Sequence, residues 1–293
     1  MAATTYGGSP ITTTTAAVFL PVLWSVETLR ATEAALVFAN LVKRYDSQVQ
    51  ARGQAIYIPN ISNLSANAKV QGSSVQTQSV TETSTTLTVA SWYEASFEIE
   101  DIASVQSNYD LRSEYSEKAG YAIAKQVDSD TAANYSSFTT TSQGAYGTDI
   151  SDAVIVSAIL QLNLYDIPMT DRAFIVYPTQ LAAIMKLDKF VKADYLGEYN
   201  QPTPVRKGPN SLYMWGEIYG IPLYYSTNVP QTAATPTQTH NMLIQKEAIA
   251  LALQQSPRLQ AAYWLPDLAW KVVCDVIYGD TSLRTTAGVN MRS

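Results

Sequence analysis

The sequence predicts an α+β fold built on long extended elements, and three observations predict it. Residues 86–102, TLTVASWYEASFEIEDI, alternate apolar and polar side chains with a period of two, over far more than a usual strand length. Residues 109–135 carry an apolar stripe at i, i+4, i+8 spacing, which marks one long helix. From residue 149 onward, helical and strand-like segments alternate as a mixed α/β unit.

The elements follow in order from local chemistry. Residues 1–24 are rich in Thr, Ala, Gly and Pro and can bury little by themselves, so they read as an arm that lies on something else. Residues 25–45 read as a helix, with Ser25 as its cap, Glu27 near its start, and Lys43 and Arg44 near its end, where each charge suits the helix dipole. In RGQAIYIPN, Ile56 and Ile58 alternate with other residues and Pro59 ends a strand. Residues 60–86 are a Ser/Thr/Asn/Gln stretch whose only charges are Lys69 and Glu82. A segment so poor in apolar residues has no core of its own, and it reads either as a loose loop or as an extended hairpin ordered by a neighbouring subunit.

Along 86–102 the expected inner face is Leu87, Val89, Tyr93, Ala95, Phe97 and Ile99. The helix over 109–135 has Asp110 as a plausible cap and the stripe Leu111, Tyr115, Ala119, Ala122, Ile123 and Val127. At a rise of ~1.5 Å per residue it spans about 40 Å, the length of a spine element. Gly120 inside it suggests a close contact. A helix capped by Ser151 follows, with Val154, Ala158 and Leu162 inward. Residues 173–177, AFIVY, read as a buried strand, and Pro178 opens the helix PTQLAAIMKLDKF, whose Lys186, Lys189 and Lys192 form a solvated face. Residues 200–211 are a Pro/Gly loop, and 216–230, GEIYGIPLYYSTNVP, are a strand and turn. Residues 242–254 resume strand-like structure, and the end of the chain reads as long strands broken at Pro266 and Gly279.

Composition narrows the function. The 293 residues are 46% hydrophobic and 15% charged, enough chain for a substantial core in one large domain or two medium ones. A net charge of −6 argues against a surface built to grip phosphate backbones. The first apolar run, 16–24, is short, contains Pro21 and precedes the first cation, Arg30, so no secretory signal is expected. No run approaches the ~18 apolar residues of a membrane helix, and the chain reads as soluble, intracellular or part of a particle assembled inside a cell.

No catalytic constellation stands out. The lone Cys274 lies in an apolar run and reads as an inert buried thiol, and the lone His240 reads as a loop residue without partners. One of each excludes a His/Cys metal site, and no phosphate loop, nucleophile elbow or dinucleotide motif occurs, so no cofactor or metal is expected. The strongest enzymatic candidates are the carboxylates of FEIEDI: Glu98 and Glu100 share a strand face beside Asp101, as a glycosidase pair would. Alternating glutamates on a polar strand face are more simply solvated or ion-paired. Long extended elements, a core-poor arm and no site describe a subunit built to bury surface against copies of itself.

The order of segments resembles the major capsid proteins of tailed bacteriophages, with the Hong Kong 97-type fold. The likeness covers nearly the whole chain. ARGQAIYIPN resembles the strand entering the family's extended loop, and 60–86 resembles that loop. Residues 109–135 resemble the spine helix, with Asp128 near its end. AFIVYPTQLAAIMKLDKFVKADYLG resembles the family's strand, proline and helix. GEIYGIPLYYSTNVP resembles a signature carried here by Gly216, Gly220, Pro222, Ser226 and Pro230.

The resemblance implies an N-terminal arm over 1–45, an extended β-hairpin loop over 46–90, a peripheral domain over 91–145 and 261–293, and an axial domain over 146–260. It implies homo-hexamers and homo-pentamers closing into an icosahedral head around double-stranded DNA, bound without sequence specificity and without a membrane. The shell would assemble in the host cytoplasm and form the virion capsid. A portal and a separate scaffolding protein are expected partners, with decoration proteins as further ones. Candidate inter-subunit contacts are Lys69, Glu98, Glu100, Asp101, Arg112 and Arg284. Some relatives crosslink through a loop lysine together with an Asn and a Glu of neighbouring subunits; the sequence does not identify the Asn and Glu that would serve Lys69, so no crosslink is expected. An encapsulin-like compartment and an acidic carbohydrate-active enzyme using Glu98 and Glu100 are the alternatives.

Overall fold

The computed structural model describes residues 37–49, 55–61, 64–69, 71–72, 74–75, 77–80, 82–101, 111–187 and 214–293. In chain order the elements are α1 (Phe38–Leu41), β1 (Lys43–Arg44), α2 (Asp46–Val49), β2 (Ala55–Asn60), β3 (Thr83–Thr88), β4 (Ser91–Glu100) and α3 (Leu111–Ala133). They continue with β5 (Gln143–Gly144), α4 (Asp152–Leu164), β6 (Arg172–Val176), α5 (Pro178–Ile184), β7 (Met214–Ile218), β8 (Ile221–Tyr225) and β9 (Gln231–Thr232). The last four are β10 (Gln238–Gln245), β11 (Ile249–Trp264), β12 (Ala269–Ser282) and β13 (Gly288–Arg292). The readings placed on 1–36, on the Pro/Gly loop at 200–211, and on Lys189 and Lys192 lie outside the described residues.

The long helix α3 is the backbone of the architecture. Its 23 residues extend about 35 Å at ~1.5 Å each. Its buried face is Ser116, Ala119, Gly120, Ile123, Ala124, Val127, Asp128, Thr131 and Ala132, a 3.6-residue repeat that packs against β4 and β12. Tyr115 and Ala122, expected on that face, are exposed. Small residues at 119, 120, 124 and 132 let the helix lie close to the sheet, and this turns the larger Tyr115 toward the rim.

The four-stranded sheet has the order β1-β11-β12-β4. β11 and β12 form a long antiparallel hairpin, and β4 extends it on the far side of β12 from Ser91↔Tyr278 to Glu100↔Ala269. The expected single strand over 86–102 is two. β3 pairs with β2, and after Val89–Ala90 the chain changes partner and β4 pairs with β12. A period of two runs unbroken through such a change, because alternation reports a strand's faces and not its partner. β2 and β3 form an antiparallel pair whose outer excursion is exposed, with Tyr57, Ile61, Leu64, Val75 and Val80 all open to solvent. Its root is held by a small core of Val49, Leu87, Val89, Ala250 and Ala252.

β12 runs straight through Gly279 and stops at Ser282, so this glycine is not the expected break. Without a side chain there, the backbone of Thr88–Val89 crosses directly over the strand. In β11 the ladder slips twice between Leu253 and Arg258, around Ser256–Pro257, where proline's missing N–H suits a bulge. Arg258 then closes a two-bonded pair on Asp275, Nε to Oδ1 at 2.8 Å and Nη2 to Oδ2 at 3.1 Å. Burial pushes the Asp275 carboxyl up, but donors from Arg258, Gln255 and Trp92 hold it below the usual carboxylate range.

The seven-stranded sheet has the order β5-β13-β10-β6-β8-β7, with β9 on β10. Its centre is β6, buried at every position, as an AFIVY run predicts. Pro178 opens α5 at its first turn as expected, but α5 ends at Ile184, before the lysine-bearing segment. Ser151 precedes α4 in extended geometry but makes no side-chain cap hydrogen bond; its carbonyl accepts from Val154 and Ile155 instead. Asn241, fully buried in β10, accepts from the Tyr177 N–H and donates to Met291 O and Ser293 Oγ. One continuous core links α3, both sheets and α4, including Phe138, Phe174 and Tyr278. The sheets part the chain at 246–248 and 283–287: residues 249–282 complete the smaller sheet, and 288–292 complete the larger.

Candidate functional site

The charged residues singled out in the sequence fall into separate places. Glu98 and Asp101 lie at the end of the four-stranded sheet where β11 turns into β12. Glu98 stands opposite Lys271 in register, with Nζ 3.7 Å from Oε2. Lys271 also bonds Asp267 at 3.0 Å and sits 5.0 Å from the Trp264 ring centroid. Asp101 accepts from the Tyr263 hydroxyl at 2.9 Å, and its N–H donates to Leu268 O. Glu100, half-buried, is the last residue of β4. These carboxylates brace a hairpin tip, and Glu98 is engaged by a cation rather than held free as an acid or base. Beyond the brace, Trp264, Leu265 and Leu268 project at 50%, 74% and 61% exposure, an apolar tip on an otherwise polar end. Leu268 takes a left-handed conformation, φ 45°, to close the turn.

Arg284 belongs to a second cluster, at the other end of the same sheet. It is exposed in the turn between β12 and β13, and its charge reaches Glu247. Glu247 is held below its usual range chiefly by its hydrogen bond from Lys43, at 2.8 Å, and the same bond raises Lys43. Lys43, Arg44, Lys246 and Asp171 line a cleft of about 480 Å³ here. Lys69 is exposed on the β2–β3 excursion. Arg112 lies in the first turn of α3, and its side chain is outside the described residues.

The signature residues divide into distinct backbone roles. Tyr219 and Gly220 take φ of 53° and 76°, the two-residue turn joining β7 to β8, so Gly220 serves a turn. Gly216 does not: it sits inside β7 beside a slip in the β7–β8 register. Pro222 lies in β8 opposite Glu217. Ser226 donates its N–H to Val176 O, and its Oγ accepts from the Asn228 N–H, which folds the chain back toward Pro230. The Pro230 carbonyl then accepts from the His240 N–H.

That turn meets Asp128, which the sequence marks only as a residue near the end of the spine helix and whose partners it does not show. Asp128, on the buried face of α3, is 0% exposed. Its Oδ1 accepts from the Val37 and Phe38 N–H groups at 3.0 and 2.7 Å, and its Oδ2 accepts from Asn228 Nδ2 at 2.8 Å. One carboxylate therefore joins the spine helix, the segment entering at Val37, and the 226–230 turn. Burial raises its pKa to about 6 against those donors. A signal was available: an acid in the inward stripe of a helix, between Ala124, Val127 and Thr131, is rare without a partner.

His240 also departs from expectation. It lies in β10 and not in a loop, at 4% exposure, stacked on Tyr135 at 3.9 Å with the Tyr146 edge at 5.5 Å. Its neighbours Thr239 and Asn241 look loop-like in sequence, but β10 lies between β9 and β13 and both are buried. Burial and the Arg292 charge lower its pKa. The folded state therefore favours neutral imidazole, so this contribution is present above about pH 6.5 and is lost as pH falls below it. The stability difference between the wild type and His240→Phe, which keeps the stack but cannot titrate, is expected to shrink on acidification from pH 7 to pH 5 in thermal melts. A pH-independent difference would remove this role. Cys274 is fully buried, and burial pushes its thiol up to about 11, consistent with an inert sulfur.

Among the described residues no group of three or more His, Cys, Asp or Glu side chains is placed to hold a metal, and no helix is long and apolar enough to cross a membrane.

The same arrangement occurs in solved structures. The chain is similar to one from Mycobacterium phage Che8, with a TM-score of 0.71 and 22% identity, over 87% of this chain and 90% of that one. The capsid structure of cyanophage P-SCSP1u matches with a TM-score of 0.67 and 17% identity over 88% of each chain. The capsid of a native GTA particle matches with a TM-score of 0.61 and 13% identity over 98% of this chain and 96% of that one. No family model matches the chain, and no curated protein matches it. At these identities the likeness speaks to architecture: the chain has a mixed α+β fold, with a long spine helix and two main sheets, of the Hong Kong 97 type found in phage capsids.

Proposed function

We propose that this chain is a phage major capsid protein, whose activity is self-assembly into the hexamers and pentamers of an icosahedral head enclosing double-stranded DNA. The observation that carries the reading is the extent of the likeness: capsid chains are matched over most of both lengths. The exposed β2–β3 excursion, with its open Tyr57, Ile61 and Leu64, supports it, since such a hairpin gains cover only from a neighbour.

In this reading residues 1–45 are the arm and 46–90 the extended loop. The peripheral domain holds α3, β4, β11 and β12, and the axial domain holds the seven-stranded sheet with α4 and α5. The strand pairing supports moving the boundary from 260 to the 246–248 turn, and assigning 288–293 to the axial part. The braced tip with Glu98 and Asp101, the Arg284 cluster and Lys69 are proposed as contacts between subunits. A portal and a separate scaffolding protein are the proposed partners, with decoration proteins as further ones.

Light scattering and electron microscopy of the purified chain test this. The expected result is capsomers or closed shells, alone or with a scaffolding protein. A chain that stays monomeric under both conditions overturns it. Native particles filled with protein cargo instead of DNA would favour the compartment reading. Boiling assembled particles in SDS is expected to release single chains.

A further inference from the structure

The Asp128 node has a geometry that accepts two protonation states. The carboxylate is fully buried, and its hydrogen-bond partners are all neutral donors. Two of these donors are backbone groups that cannot leave without moving the chain at Val37–Phe38. The third, Asn228 Nδ2, belongs to an amide whose own oxygen, Oδ1, is buried without a hydrogen-bond partner. An amide can exchange its donor and acceptor ends by rotating half a turn. A buried acceptor left unpaired beside a buried carboxylate is the place where a proton on that carboxylate would be received.

The surroundings contain little else that titrates. The entering segment Val37–Leu41 and the turn Ser226–Pro230 hold no ionisable side chain. Tyr121 and Lys125 from α3 and Tyr225 from β8 line the adjoining cavity of about 80 Å³, with Val37, Ser226, Thr227 and Asn228. Asp130, two residues along α3, is occupied by Gln126 and the Tyr278 hydroxyl.

We propose that Asp128 and Asn228 form a proton-operated latch that fixes the segment entering at Val37 to the spine helix, and that the latch is tighter when Asp128 is protonated. With the carboxylate charged, Asn228 donates Nδ2–H to Oδ2, and the Asn228 oxygen stays unpaired. With a proton on Oδ2, the amide rotates, Oδ2–H donates to Asn228 Oδ1, and Oδ1 of Asp128 still accepts from Val37 and Phe38. The neutral state removes a buried charge; the rotation pairs the Asn228 oxygen and leaves Nδ2 as the unpaired end, so the gain comes from the charge. The direction follows from burial: a carboxyl whose folded pKa is raised binds more protons in the closed state, so closure weakens as pH rises through about 6. The latch thus loosens on the neutral side and tightens in mild acid, opposite to an ordinary salt bridge. It is a property of the subunit fold and does not depend on the shell reading.

Hydrogen exchange of a peptide spanning residues 37–41 in the full-length protein, corrected for intrinsic rates, tests it. Protection in the wild type is expected to rise about tenfold from pH 7 to pH 5, because one proton taken up on closing changes the ratio tenfold per pH unit and only below about pH 6. Asp128→Asn, which mimics the neutral acid, is expected to be protected at pH 7 and to lose the pH response. Asn228→Ala removes a charge-assisted bond to the charged form and a weaker neutral bond to the protonated one, and is expected to move the midpoint to higher pH. Equal pH profiles in the wild type and Asp128→Asn would overturn the latch. So would a midpoint that Asn228→Ala leaves in place, since the responding group would then lie elsewhere.

Discussion

Gly279→Ala is expected to destabilise the subunit by about 3 kcal/mol or more, at the upper end of what overpacking does. A methyl group at Gly279 would overlap Thr88 O and lie 2.8 Å from Val89 Cα. Both are backbone atoms, so no rotamer change relieves the clash. The crossing at 88–89 must lift away from β12, and this pulls on the small core of Leu87, Val89, Ala250 and Ala252. It is also where the chain leaves the β2–β3 pair and joins the four-stranded sheet, so the excursion should be disturbed along with stability. Denaturant unfolding of the variant gives the magnitude, and protease susceptibility of residues 61–82 reports the excursion. A loss below about 1 kcal/mol would mean that the crossing is not tight.

The second large effect is at Gly288, which starts β13. A methyl group there meets the Phe138 ring at 2.5 to 2.7 Å, and Phe138 is fully buried. Gly288→Ala is expected to destabilise by roughly 2–3 kcal/mol, because the ring has no exposed side to move toward. This neighbour is a side chain, so the strain is open to repair. Phe138→Leu leaves room where the ring stood, at the expense of a cavity. The double variant should recover part of the loss, with a coupling energy above about 1 kcal/mol in a double-mutant cycle. Strict additivity would show that the two residues do not press on each other. Phe138 follows the end of α3 and Gly288 begins the last strand, so the contact also measures how tightly the spine is fixed to the larger sheet.

Much of the chain was legible in one dimension. Most of the inward stripe of α3, the apolar run Ala173–Val176 of β6, Pro178 at the head of α5 and the burial of Cys274 each depend on residues within a few positions of one another. The candidate contacts were less legible. Glu98 was recognised as a polar-face residue, but its Lys271 partner sits across a strand pair 173 positions away, given by the two residue numbers in the register. The break at Val89–Ala90 was invisible, because β3 and β4 keep one alternation while changing partner. His240 was misplaced in a loop, because polar neighbours carry the same local signature whether they face solvent or a buried strand pair.

By itself the sequence determined which segments extend, which one coils into a long helix, which faces are apolar, and an order of elements that resembles one family. These depend on propensity and periodicity, which neighbouring residues set. Only the tertiary structure decided where the strand changes sheet, why Gly279 lies inside an unbroken strand, and what Asp128 holds. Close approach of two backbones and the desolvation of a carboxylate both arise between remote segments. Asp128 meets Val37 across 91 positions and Asn228 across 100, and that meeting made an inward-facing acid into a junction.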